Sequence, residues 1–389
     1  MPQYEKVPSA PEDIADWRAD NNLQRETKFG GAVNFVNGRI DGYRLDSLLR
    51  MGFFRVHAPA FSDKFVMKQT WAVVIMVVAW AFIFMLLHLS HVMHVDSNLV
   101  GQSSDIFGYF GSLTGFLFGF FIFDNLATYT TVKNNYLGGF WGAFQTLMAL
   151  TGAWFPANDP KTKNFKITIV RWGLASFNLM CGEAKDDGKI EEIMANTVAK
   201  GLLTPEEADA VTSLSGNPVV PLLWMIEVFQ KNLDGHRGAD FKVNKAEDNI
   251  LLMRAGVGNT LTAVSSFGLT PLPLVHLMSA LVKIQLLLLS VKEGVNIADI
   301  LVNEHDGKTL QLCLSLLMSV ATPIIFQGLL EFVIMIRNPF GDDWVDLPTR
   351  FYQQQIRDEM LDLIRAGEVA AALPTVKDAK NIPDQNPGR

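Results

Sequence analysis

The sequence predicts an all-α integral membrane protein with four membrane helices per subunit and a large helical cytosolic region. Three observations carry that reading. Of 389 residues, 49% are hydrophobic, more than a soluble chain of this length usually holds. The excess is gathered in charge-free runs near the length that crosses hydrocarbon, about 20 residues at 1.5 Å each. The basic residues that flank those runs fall on one side of them.

Taken in order, 1–37 is polar and acidic, with no apolar core for a cleavable signal, and cannot bury much surface. Over 43–61, Leu45, Leu48, Leu49, Phe53 and Phe54 recur near helical spacing with arginines between, which suits an amphipathic helix at the interface. The spans are expected at about 66–94, 105–132, 255–291 and 309–337, around the charge-free runs 71–87, 106–123, 255–282 and 309–330. Pro271 and Pro273 interrupt the third, and Pro323 lies inside the fourth. A further apolar run, 138–155, reads as a buried continuation of the second helix. The links 94–105 and 292–308 are poor in Lys and Arg, the second holding only Lys292 and Lys308 at its ends. By contrast, Arg44, Arg50, Arg55, Lys64 and Lys68 precede the first span. The positive-inside rule then places both termini in the cytosol and the two short links outside.

Composition narrows the function. A net charge of −7, with no basic patch interleaved with aromatics, argues against a nucleic-acid partner. Two cysteines, Cys181 and Cys313, are too few for a disulfide framework. No nucleophile, base and orienter stand at a known spacing, and there is no phosphate loop or metalloprotease pattern, so an enzyme is not expected. His88, His91 and His94 stand three apart at the end of the first span. Steps of three drift around a helix, so these read as interfacial histidines rather than metal ligands. Thr204, Pro205 and Glu207 form a capping box with Pro at the first helical position.

Three stretches bear on a site. In the second span Phe116, Phe120 and Phe123 share one face, and Gly111, Gly115 and Gly119 another at four-residue steps. Small residues at that step read as a helix contact. The phenylalanine face either meets lipid and neighbouring helices or, in a ring of identical subunits, makes a narrow apolar neck. Ring edges there can tolerate a passing anion, and an apolar neck can gate by dewetting. The prolines of the third span free a helix end at membrane depth, whose N–H groups would attract an anion, unless they merely kink the helix. Finally, Pro339 and Gly341 end the last span, and Asp342, Asp343 and Asp346 put three carboxylates within five positions. Such a turn can hold Ca²⁺, or it is simply an acidic helix stop.

The run Asn338-Pro339-Phe340-Gly341 followed by acids resembles the bestrophin family of anion channels. The same resemblance is carried by the stretch from Arg44-Leu45-Asp46-Ser47 through Phe61, by Leu202-Leu203-Thr204-Pro205-Glu206-Glu207, and by Leu272-Pro273-Leu274-Val275. The pieces occur in family order over about 43–350. The resemblance implies a bestrophin-like homopentamer around a central pore. Its channel domain would be 43–350, between a polar segment, 1–42, and a C-terminal helix and disordered tail, 351–389. It implies a ligand-gated channel for chloride or bicarbonate, with Cl⁻ as permeant ion, membrane lipids and inorganic anions as partners, and Ca²⁺ as a candidate regulator. Phe116, Phe120 and Phe123 would line the neck or, in the other register, Gly115 and Gly119. Pro271 and Pro273 would border the outer pore. Ca²⁺ would be held by carboxylates of Asp343 and Asp346, by carbonyls near Asn338 and Met335, and by a neighbouring subunit's carbonyl at 40–41. Asp124 departs from the family pattern, standing where an arginine is common. A non-conducting membrane scaffold and a secondary anion transporter are the alternatives. The sequence does not name the membrane, plasma or organellar.

Overall fold

The computed structural model describes residues 25–28, 33–36, 39–43, 64–156, 159–185, 189–234, 238–265, 272–303, 308–341 and 345–372. From Lys64 onward these residues build the expected all-helical fold. Ahead of it stands a small antiparallel sheet in the order β1 (Arg25–Lys28), β2 (Val33–Val36), β3 (Arg39–Tyr43). The polar composition of 1–42 concealed it, because strands of four or five residues offer at most two alternations of pattern. The interfacial helix expected over 43–61 lies, beyond Tyr43, outside the described residues.

Among the described residues, four helices are long and apolar enough to cross a membrane. The first, α1 (Lys64–Leu89), buries Val66, Thr70, Val73, Val77 and Ala81 along one stripe. The Asp96 carboxylate caps α2 (Ser97–Thr131) by accepting from the Leu99 N–H at 3.0 Å. That helix passes through a π-helical turn (Val132–Leu137) into α3 (Gly138–Trp154), 58 residues in all. At 1.5 Å per residue it is about 87 Å long, far more than the hydrocarbon needs, so its second half continues beyond the membrane as expected.

The region expected as a third span, 255–291, is divided. One helix, α8 (Ala239–Val264), ends before the prolines, and α9 (Leu272–Val302) begins at them. Pro273 is the second residue of α9, in the first turn, where the absent N–H costs nothing. Lys292, placed by sequence at the start of an outer link, lies inside α9 instead. The last span is α10 (Lys308–Arg337), with Pro323 in its interior.

Contacts fix the direction of α9. At one end Asn303 Nδ2 donates to the Val95 carbonyl at 3.0 Å, and Gly294 lies so close to α1 that a Cβ would stand 2.5 Å from the Trp80 Cβ. Helix α9 therefore runs parallel to α1, and its first turn lies at the Lys64 end of the bundle. Phe118 of α2 stacks on Phe326 of α10 at 6.4 Å, and Val282, Leu286 and Leu289 of α9 close the membrane core.

A second, larger core joins α3 to α4 (Pro160–Ala184), α7 (Val220–Leu233), α8 and α11 (Thr349–Ala372), around Phe140, Phe144, Phe177, Phe229 and Met253. The Phe144 ring fills the space over Gly173, where a Cβ would lie 2.3 Å from Cζ. Gly152 and Gly367 bring α3 and α11 together at backbone distance. Trp141 Nε1 and Gln145 Nε2 both donate to Glu359 Oε2, at 2.6 and 2.7 Å. Asp159 caps α4, and hydrogen bonds from the Thr162 side chain and backbone hold its carboxyl below the ordinary aspartate value. Between them, α5 (Ile190–Ala199) and α6 (Pro205–Ser213) are short.

The capping box at α6 forms as expected. Thr204 Oγ1 accepts from the Glu207 N–H at 3.2 Å, and Glu207 Oε2 accepts from the Thr204 N–H at 2.8 Å. Glu207 also takes both Arg171 terminal nitrogens, each at 2.8 Å, and Trp172 Nε1 at 3.0 Å. Glu207→Ala should therefore cost about 3 kcal/mol, because it strands a buried guanidinium. Thr204→Ala, which loses only the cap, should cost about 1 kcal/mol. Thermal midpoints in detergent should fall in that order, and equal midpoints would contradict the double role of Glu207.

Candidate functional site

Two regions gather the residues singled out by sequence, and one hydrogen bond joins them. The first is the open face of α2. Phe116, Phe120 and Phe123 are 64%, 62% and 70% exposed, and the rings of Phe116 and Phe120 meet edge to face at 5.0 Å. The same helix buries Thr114, Phe118, Phe121 and Asn125 against the bundle. At about 100° per residue the two sets fall on opposite sides.

The glycines do not behave as one contact face. A Cβ at Gly115 or Gly119 would meet nothing within 4 Å, whereas one at Gly111 would stand 3.0 Å from Gln285 Nε2 of α9. Within one chain the expected helix contact is thus made at Gly111, and Gly115 and Gly119 lie on the open side with the phenylalanines. The carboxylates of Asp105 and Asp124 stand exposed on this same side, at its two ends. The open face of α1 is different: Trp71, Ile75, Val78, Phe82 and Leu86 run along it.

The second region is the corner that ends α10. Its last carbonyls, that of Met335 among them, have no helical donor because the helix stops at Arg337. Asn338 Oδ1 accepts from the Phe340 N–H at 3.1 Å, and the Pro339 carbonyl accepts from the Leu347 N–H at 2.8 Å, which folds the chain back on itself. Asp346 is fully buried, with Oδ2 2.9 Å from where a Gly341 Cβ would stand, so a side chain at 341 would press on that carboxylate. Asp342 and Asp343 lie outside the described residues. On β3, the register shift pairs Asn34 with Gly42 and Phe35 with Ile40, which leaves Asp41 opposite no residue of β2.

The joining bond runs from Tyr129 Oη, on the last turn of α2, to the Val345 carbonyl at 3.0 Å. Sequence reading missed it, since nothing local signals a contact between residues so far apart. Pro273 stands at the start of α9 at the Lys64 end of the bundle, and Pro271 lies outside the described residues. That break thus lies at the end of the bundle opposite the turn that joins α1 to α2. At the other end His88 Nδ1 accepts from the Val95 N–H at 3.1 Å and its ring meets His94 at 5.7 Å, so His88 closes the turn between α1 and α2.

A multi-pass helical membrane protein with an open apolar face on one long helix is the class this geometry defines. The family profile described as "Bestrophin, RFP-TM, chloride channel" matches residues 66–356, and the chain belongs to the bestrophin family. Solved structures share the fold. A mutant of a bacterial bestrophin homologue from Klebsiella pneumoniae superposes with a TM-score of 0.61 at 14% identity, covering 77% of this chain and 98% of that one. Another structure of the Klebsiella homologue gives 0.58 at 15% identity over 77% and 98%. A crystal structure described as a membrane protein gives 0.61 at 14% identity over 78% and 100%. No curated protein matches the sequence.

Tyr129→Phe should cost about 1 kcal/mol and speed amide exchange across 338–341 and 345–347. Hydrogen–deuterium exchange on purified protein checks this, and unchanged exchange would show that α2 does not hold the corner.

Proposed function

We propose that this chain is one subunit of a pentameric anion channel in which α2 from each copy lines a shared aqueous path for chloride or bicarbonate. Phe116, Phe120 and Phe123 form its neck, with Gly115 and Gly119 supplying the backbone between the rings. Membership of a chloride-channel family supports the reaction class. One observation carries the placement: Phe116, Phe120 and Phe123 stay exposed along one face of α2, opposite the side by which that helix packs on the bundle. Asp105 and Asp124 on that side stand 19 residues apart, about 28 Å along the helix, so they mark the two edges of the span. Ring edges turned to the axis present partial positive charge to an anion, and a neck without polar groups sheds water when narrow.

Cytosolic calcium opens the channel in this reading. The carboxylates of Asp343 and Asp346, carbonyls at Asn338 and Met335, and a neighbouring subunit's carbonyl at 40–41 hold the ion. The support is the bent corner with its buried Asp346, and a bulge that leaves Asp41 out of the ladder. Both termini are cytosolic. The same carboxylates favour a second reading, in which rings of Asp105 and Asp124 admit cations as well.

Planar-bilayer recording of purified protein tests the proposal. Unitary currents reversing near the chloride potential in a salt gradient are expected. Reversal near the cation potential would support the second reading, and flux without unitary events would indicate a carrier. Phe120→Ala should raise unitary conductance roughly twofold or more by removing a ring from the constriction, and an unchanged conductance would take Phe120 out of the neck. Asp343→Asn combined with Asp346→Asn should abolish any calcium response, and a full response would take the corner out of gating.

A further inference from the structure

Ionisable side chains packed among membrane helices are scarce, and where they occur they are partnered. Two stand next to one another on α9. The Glu293 side chain is 1% exposed and that of Lys292 20%, and Lys292 Nζ donates to Glu293 Oε1 at 2.7 Å. Successive helix residues point about 100° apart, so each partner reaches a different neighbour. Lys292 Nζ lies 5.4 Å from the centre of the Phe107 ring on α2, within cation–π range. Glu293 Oε2 accepts a hydrogen bond from the Ser315 hydroxyl on α10. Two turns earlier on α9, Gln285 Nε2 donates to the Phe107 carbonyl at 3.4 Å and rests on Gly111.

We propose that Lys292, Glu293 and Gln285 form an intramembrane clasp that fixes the height of α2 against α9 and α10, and so positions the neck for conduction. The inference rests on α2 lining the pore. Phe107 is nine residues from Phe116, about 14 Å along one unbroken helix, so a shift at the clasp is carried to the neck. Stability alone does not call for such a pair, since apolar residues of the same size commonly do as well in its place. What the three residues add is direction: one ring, one carbonyl and one hydroxyl, on two helices, are met from within about two turns of α9.

Single-channel recording tests the clasp, with elution of the oligomer as a check on assembly. Phe107→Leu should change open probability roughly fivefold, the scale of a lost cation–π contact, and Lys292→Met, which also leaves Glu293 without its cation, by more, each with unitary conductance kept. The double variant should do no more than Lys292→Met alone, and Lys292→Arg should keep wild-type gating. Wild-type gating in both single variants overturns the clasp, as does a double variant whose effect is the product of the two. Should Lys292→Met fail to assemble, Phe107→Leu and Gln285→Leu, which leave the ion pair in place, decide the matter by the same readout. Phe120→Ala is recorded alongside. A changed conductance there with wild-type gating in Phe107→Leu removes the clasp alone, and a wild-type conductance there removes α2 from the pore and the clasp with it.

Discussion

Hydrocarbon offers no hydrogen bonds, so every backbone group that crosses it must be paired within its own helix and every charge must meet a partner or water. That constraint accounts for the unbroken course of α2 across the span, and for Pro273 standing in the first turn of α9, where no N–H is needed. Pro323, inside α10, is accommodated where Ser319, Thr322 and Gly328 are buried against neighbours. The helix α2 keeps one face open, with Phe116, Phe120 and Phe123 along it, while Thr114, Phe118, Phe121 and Asn125 pack on the bundle. The functional reading grows from that open face.

The rod also joins the two regions that bear on function. Its first third is gripped by Lys292 and Gln285 of α9, the last turn of α2 by the Val345 carbonyl, and its continuation as α3 is sealed into the larger core by Phe140 and Phe144. A rigid element held at several heights transmits displacement along its axis, and in the proposed channel that is the route from the corner after α10 to the neck. Buried contacts switch between discrete packings rather than bending by degrees, so such coupling favours two-state opening.

Much of this was legible in the sequence where the signal was local. Charge-free runs marked four membrane regions, Thr204 and Glu207 marked the start of α6, and the order of short motifs pointed to the family. The third span was mis-framed because 255–264 is as apolar as a span, although it ends a helix packed on the larger core through Met253 and Val257. Lys292 was placed in a link because the apolar run 284–291 stops at it and Glu293, whereas in the fold Lys292 bonds Glu293, which bonds Ser315 on another helix. The division of Gly111 from Gly115 and Gly119 was likewise hidden, since spacing shows which residues share a face but not what stands opposite.

The central claim is that the Phe-bearing face of α2 borders water. With Cys181 and Cys313 replaced, single cysteines at Phe116, Phe120 and Phe123 can be exposed to a charged, membrane-impermeant thiol reagent while current is recorded, with Ile75 and Val78 on α1 as lipid-side controls. Modification that reduces current at the α2 positions, with none at the α1 positions, is the expected result. Modification at Ile75 or Val78 with none on α2 would contradict it.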